Sequence, residues 1–252
     1  MKRKYMNYYL CSLLLLALGA CQKEETGIVD YKAEPKTALG TKLVTTGLVA
    51  TIFKDTTYSS TAGLNTTEIS YFSKKGYAMK IFVFEVDLTN ANISLEVARP
   101  LNPTNPLGFQ TVRQQAMHED AAGHLVWGAT NASFANVTTG AIHGLLYDNG
   151  TIRQVPSAAY PNFLVITKDK RAVIGSMPLH DDAAFKANIY EAVGGGVLLA
   201  TNGVITTQTE ATPSVNPRTC VGVSADQKKV YLMAVDGRQY HYSNGMTYEE
   251  LS

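Results

Sequence analysis

The sequence predicts an α+β fold, a single domain with a mixed, mostly antiparallel sheet and few helices. Three observations carry this. The periodic segments alternate with the two-residue period of strands, as where Ile93, Leu95 and Val97 interleave with Asn92, Ser94 and Glu96. Turn-forming clusters such as Asp148-Asn149-Gly150 and Thr201-Asn202-Gly203 separate them. Helix-start chemistry is sparse: capping boxes stand at Thr111 with Gln114 and at Thr247 with Glu250. Strands and helices that do not alternate regularly suit an α+β layer arrangement.

Residues 1–21 read as a lipoprotein signal. Lys2, Arg3 and Lys4 form a basic start, residues 10–18 an apolar run, and Leu18-Gly19-Ala20-Cys21 a small-residue cleavage site whose cysteine takes the lipid. The apolar run falls short of the roughly 20 residues that span a bilayer. The expected location is therefore the bacterial cell envelope, at the outer membrane or cell surface, with the membrane as a partner through the lipid on Cys21.

The whole chain carries a formal charge of +1, and loss of three basic residues with the signal leaves −2. With no basic surplus, nucleic acid is not an expected partner. Cys220 is the one cysteine left outside the signal, which excludes an intrachain disulfide in the mature chain. It lies in an apolar strand with no neighbouring histidine and reads as a structural thiol.

Residues 22–46 are polar and aperiodic and predict a flexible tether. The domain then runs over 47–252. Segments 47–53, 67–72 and 77–86 predict strands, and 92–98 a half-buried strand paired with the one before it. Residues 101–108, rich in Asn and Pro, are a loop. The Thr111 capping box opens a helix over 111–122, with Gly123 to close it. Residues 125–130 are a short strand opening into Asn131 and Ser133. Short amide and hydroxyl side chains at a strand end suit the hydroxyls of a sugar or the oxygens of a phosphate; they equally suit backbone capping. Segments 163–167 and 172–174 form a hairpin around Lys168-Asp169-Lys170. Asp181 and Asp182 precede either a short helix or an irregular loop. Gly194, Gly195 and Gly196 lead into 197–200, either approaching an anion with backbone N–H groups or letting another segment pass closely.

The densest chemistry lies in residues 216–252. Segments 219–224 and 229–235 predict strands joined by a hairpin at 225–228, the second an apolar run suited to cover on both faces. Antiparallel pairing would bring Arg218, before the first strand, and Asp236, after the second, to one rim of the sheet. They form either a site or a structural ion pair there. The Thr247–Glu250 box, with Met246 and Leu251 as a hydrophobic staple, starts a helix at Tyr248. A helix that stops at Ser252 is too short to sustain itself, so the expectation is a C-terminally truncated domain. His118, His124, His143, His180 and His241 show no zinc spacing, and no G-x-S-x-G elbow is present. No cofactor is expected, and a divalent metal is left open.

The order Asn-Pro-Arg-Thr, hydrophobic strand, Asp-Gly-Arg, then Ser-x-Gly-Met-Thr-x-x-Glu-Leu resembles the phosphodiester glycosidase family. Asn131-x-x-Phe134, Gly140, Gly144, the Asp148-Asn149-Gly150 turn and the Gly194–Gly196 run resemble it too. The family continues with a second helix and an Asn-Leu-Asp-Gly-Gly-Gly-Ser segment that this sequence does not reach. The resemblance implies hydrolysis of a sugar 1-phosphodiester in an envelope or extracellular glycan, with that sugar-phosphate glycan as the partner. The second reading is a glycan-binding surface lipoprotein without activity. Asp236 is expected as base or charge stabiliser, and Arg218 as a phosphate clamp through paired hydrogen bonds. Asn131, Ser133, Thr219, Gly237, Ser243 and Glu250 are the expected substrate contacts, Glu250 serving equally well as a helix cap.

Overall fold

The computed structural model describes residues 33–100, 109–206 and 213–252, so the signal, Cys21 and the first part of the expected tether lie outside the described residues. Strands β1 (Val49–Thr61), β2 (Leu64–Ser73) and β3 (Ala78–Asp87) form a meander. Strands β11 (Arg218–Val223) and β12 (Lys229–Val235) complete a sheet of order β1-β2-β3-β12-β11. A second sheet of order β5-β4-β8-β6-β7 comprises β4 (Leu146–Asp148), β5 (Thr151–Gln154), β6 (Asn162–Thr167), β7 (Ala172–Ser176) and β8 (Ile189–Gly194). A small hairpin of β9 (Ala200–Thr201) and β10 (Val204–Ile205) stands apart. Among the described residues all the strand pairings are antiparallel.

Strand alternation sorts the apolar residues into three cores. Tyr71, Ile69, Ile81, Val83 and Val235 point to the outer face of the first sheet. Two helices cover them: α1 (Ala38–Thr45) with Leu39, Leu43 and Val44, and α5 (Tyr248–Leu251) with Leu251. Leu64, Val86 and Val230 on the inner face meet Leu164, Ile166 and Ala172, so the two sheets pack face to face. Beyond the second sheet, Phe163, Val165 and Ile189 pack on Phe185 of α4 (Ala183–Asn188), which follows the single turn α3 (Met177–His180). The layers run helix, sheet, sheet, helix around continuous apolar contact.

Several elements differ from their sequence-based expectation. Part of the expected tether is ordered. Thr37 caps α1 by accepting from the Gly40 N–H, and the buried Asp55 of β1 accepts from Lys36 N (2.6 Å), Thr37 N (2.8 Å) and Thr37 Oγ1 (2.6 Å). Eight residues with two leucines four apart are too short to display a helical period in sequence.

Segment 92–98 is extended but joins no ladder, because both edges of β3 are taken by β2 and β12. It is held by side chains: Ile93 and Leu95 enter the inter-sheet core, and Lys170 Nζ donates to the Ile93 carbonyl at 3.1 Å. Segment 125–130 is likewise extended without a ladder. Helix α2 (Val112–Glu119) has its reciprocal Thr111–Gln114 box but ends before Gly123, which sits at φ +85° in the turn between Ala121 and His124. The Asp148-Asn149-Gly150 turn is the expected tight hairpin, with φ +51° at Asn149 and +73° at Gly150 matching the twist of β4 and β5.

Candidate active site

Antiparallel pairing of β11 with β12 sets Arg218 opposite Val235, so Arg218 and Asp236 do reach one rim of the first sheet. Alternation then separates them. Val235 belongs to the outer core, and Arg218 lies on the same outer face. Its Nε donates to the Met246 carbonyl (2.9 Å), its Nη2 to the Ser214 carbonyl (2.8 Å), and the guanidinium lies 3.9 Å from the Tyr248 ring centroid. Asp236, one residue past Val235, turns to the inner face. No ion pair joins the two side chains among the described residues, which corrects the expected neighbour pair. Arg218 is a pin for the C-terminal segment, its donors and its plane engaged on the side away from Asp236.

The Asp236 backbone is fixed. Its N–H donates to the Lys80 carbonyl at 3.0 Å, continuing the β3–β12 ladder. The return rung is made by Ser243, whose hydroxyl accepts from Lys80 N–H (3.0 Å) and donates to the Asp236 carbonyl (2.7 Å). Ser243 is 0% exposed and both roles of its hydroxyl are filled, so it is a strand splice and not the substrate contact expected of it. Gly237 is also structural: a Cβ there would stand 2.5 Å from the Pro217 nitrogen, so only glycine lets segment 216–218 pass. Glu250 makes the capping box with Thr247 and an ion pair with Lys75 at 2.8 Å. Burial opposes its ionisation, but Lys75 and the Thr247 N–H win and hold its carboxyl below the ordinary value. It is thus a cap. The carboxylate of Asp236 is half-buried and has no hydrogen bond or ion pair among the described residues.

Three expected contacts lie around the inner face. Thr219 stands opposite Ala234 and donates its hydroxyl to Asn131 Oδ1 at 2.6 Å, so the two form one polar unit joining segment 125–131 to the sheet. Ser133 instead accepts from Gly194 N–H at 3.0 Å. A Cβ on Gly194 would meet the His143 carbonyl at 2.8 Å, and one on Gly196 the Phe134 ring at 3.0 Å. The glycine run therefore serves close passage of neighbouring segments, the second of its two expected roles.

Sequence reasoning missed the rest of this face. Lys80 and Lys54 share the carboxylate of Glu68, and the Lys80 ammonium lies 4.8 Å from the Tyr242 ring centroid and 5.4 Å from that of Phe82. Lys54, Glu68 and the Lys80/Phe82 pair come from β1, β2 and β3, and Tyr242 from the turn after β12, so no motif announces them; strand register and the course of that turn bring them together. Beside them is a cavity of about 270 Å³ lined by Tyr58, Thr66, Phe82, Phe84, Leu232 and Ala234 on the sheet side and by Ala129 and Thr130 above. Gly128 permits the covering segment to approach, since a Cβ there would meet the Phe84 ring at 2.6 Å. No group of three His, Cys, Asp or Glu residues suited to a metal occurs among the described residues. Burial pushes the Cys220 thiol up to about 11, which removes it as a nucleophile at neutral pH.

A half-buried rim carboxylate whose main chain is fixed, with a polar Asn–Thr unit and a lined cavity on the same face of the first sheet, makes this face the candidate site. The sequence matches the phosphodiester glycosidase family model over residues 125–252, just over half of the chain, and the protein belongs to that family. Among solved structures, the zebrafish N-acetylglucosamine-1-phosphodiester alpha-N-acetylglucosaminidase catalytic domain, auto-inhibited by its pro-peptide, is similar at 18% identity and a TM-score of 0.56. The alignment covers 79% of this chain and 69% of that one. A hypothetical protein from Synechocystis is similar at 12% identity and a TM-score of 0.54, over 79% of this chain and 55% of that one. At these identities the likeness is one of fold. No curated protein matches the sequence.

Proposed function

We propose that this protein hydrolyses the bond between the anomeric carbon of a sugar and a phosphodiester oxygen in a glycan of the cell envelope or its surroundings, with Asp236 as the working carboxylate. The observation that carries the reading is the state of Asp236: backbone locked at both N–H and C=O, carboxylate without a partner among the described residues, on the face that bears the Asn131–Thr219 unit and the cavity. A carboxylate so held takes the proton of an attacking water or stabilises an oxocarbenium-like transition state. Phosphate is already a good leaving group, so the reaction asks little of a general acid. The phosphoryl charge finds Lys80 and Lys54 on the same face, two ammoniums against the single carboxylate of Glu68. The family and the name of the zebrafish enzyme support a sugar 1-phosphodiester as the substrate class. Arg218 acts here through position, by fixing the rim. The signal read in residues 1–21 supports a reaction at the envelope, with the chain held there through a lipid on Cys21.

The test is release of free sugar from a panel of sugar 1-phosphodiesters and matched ordinary glycosides. Turnover of the phosphodiesters, reduced roughly 10²- to 10⁴-fold by Asp236→Asn with an unchanged unfolding midpoint, is the expected result. Full turnover in Asp236→Asn would remove Asp236 from the mechanism. Binding of the panel without turnover in the intact chain would replace the hydrolase by a glycan-binding lipoprotein.

A further inference from the structure

The cavity beneath segment 128–131 has a lining whose chemistry specifies an occupant. Phe82, Phe84 and Leu232 belong to the inner face of the first sheet, where Phe84 pairs with Leu232 and Phe82 with Ala234. Their rings and side chains present an apolar wall. Thr130 adds a hydroxyl, that of Thr66 being taken up by Ser60 at 2.7 Å, and Tyr58, 53% exposed, stands where the cavity meets solvent. Such a surface, aromatic on one side with a few hydroxyls at its edge, matches a pyranose ring, which has an apolar C–H face and polar groups around its rim. A volume of about 270 Å³, just below the usual range of about 300–1,000 Å³ for ligand pockets, is on the scale of a single ring.

Continuity with the rim strengthens the match. Thr130 of the cavity precedes Asn131, which bonds Thr219, and Thr219 stands opposite Ala234 of the cavity floor. Two residues on from Ala234, just past the end of β12, is Asp236. A ring in the cavity therefore lies next to the Asn131–Thr219 pair and on the face from which the Asp236 rim continues.

We infer that this cavity is the subsite for the sugar ring, with Phe82 and Phe84 as its stacking wall and Ala234 as the floor residue that leaves it room. The inference rests on the proposed hydrolase reading for the identity of the ligand, but its test does not require turnover. Trp127 is the sole tryptophan of the chain, half exposed and two residues from Ala129 in the covering segment, and so reports on the cavity by fluorescence.

The full chain is titrated with free hexoses and N-acetylhexosamines, with fluorescence and calorimetry read in parallel, alongside Ala234→Leu, which fills the cavity, and Phe82→Leu, which removes an aromatic wall at similar volume. The expected result is saturable binding to the wild type with a Trp127 response, weakened at least tenfold in both variants at unchanged unfolding midpoints. Equal binding in variant and wild type, or no binding to the wild type at tens of millimolar sugar, overturns the subsite. Phosphodiester turnover without any sugar binding leaves the reaction standing and sinks the subsite. Cavity-dependent binding without turnover does the reverse.

Discussion

Ser243 shows how one hydroxyl replaces a rung of a ladder. Where β3 and β12 part beyond the Ile81–Val235 pair, the Lys80 N–H and the Asp236 carbonyl would lose each other, and the Ser243 hydroxyl bridges them by accepting from one and donating to the other. Ser243→Ala leaves two main-chain groups buried without partners, at a cost of about 1–3 kcal/mol each in the unrelaxed case. Denaturant unfolding of Ser243→Ala is therefore expected to show a loss of at least about 1 kcal/mol, together with a fall in any activity that depends on Asp236. A variant as stable as the wild type would mean that water fills the gap. Asp236 is the contrasting residue, since its carboxylate contributes no bond to the fold among the described residues, and Asp236→Asn is expected to leave stability alone. The two substitutions thus separate support of the rim from chemistry at it.

At the scale of elements, the first sheet is closed on its outer side by two short helices that neither stand alone nor nucleate themselves. Helix α5 has a capping box and a staple of Met246 with Leu251, but Arg218 fastens it: the guanidinium bonds the Met246 carbonyl and lies against Tyr248. Arg218→Lys keeps the charge and loses the planar fork and stacking, so it is expected to destabilise by roughly 1–3 kcal/mol and to raise amide exchange over 246–251. Exchange in that segment no faster than in the wild type would show that the cap and staple suffice. Helix α1 depends on Asp55 in the same way. Burial raises the carboxyl of Asp55, but the Thr37 hydroxyl and N–H and the Lys36 N–H outweigh it and hold the group below 3.8. A carboxyl depressed in the folded state stabilises above its unfolded value and loses that contribution as pH falls through its folded value. Asp55→Asn is expected to abolish this acid-range loss and to free α1 to proteolysis near residues 33–46, with no change in the second sheet.

For the whole molecule, the contact between sheets carries a built-in pH dependence. Glu191 of β8 is 2% exposed on the inter-sheet side. Burial, against the opposing pull of the Asn149 and Val97 N–H groups and with the added repulsion of Asp148 and Glu96, pushes its carboxyl up from 4.5 to about 7. Arg99 and Arg153 neutralise Asp148 nearby, at 2.7 and 3.5 Å. Since the folded value is raised, the unfolded chain gives up its proton first. Stability is full below about 4.5 and declines until about 7, by roughly 3 kcal/mol in total. Glu191→Gln is expected to flatten that slope and to be the more stable protein at pH 8, as measured by denaturant unfolding at pH 5 and pH 8; an unchanged slope would refute the assignment. His180, buried beside Tyr147 and held below 6.5 by burial and Lys186, acts in the other direction, removing stability as pH falls below 6.5.

The antiparallel α+β character, the β11–β12 and β6–β7 hairpins, both capping boxes and the family motifs were legible in the chain, because each rests on neighbours within about ten residues and on local chemistry. Position along the sequence was also enough to place Arg218 and Asp236 on one rim. It could not show that the side chains part to opposite faces, since the alternation that separates them counts from the register of β12 against β3. Nor could it reveal Lys80, Glu68 and Phe82, which are ordinary strand residues until the pairing of β2 with β3 aligns them. The missed α1 and the unpaired 92–98 segment have the same cause: whether a short segment becomes a helix or a strand depends on which faces and edges remain open. Local physics determined the elements and the chemistry on offer; the pairing of distant strands decided which groups share a face, and hence where the site lies.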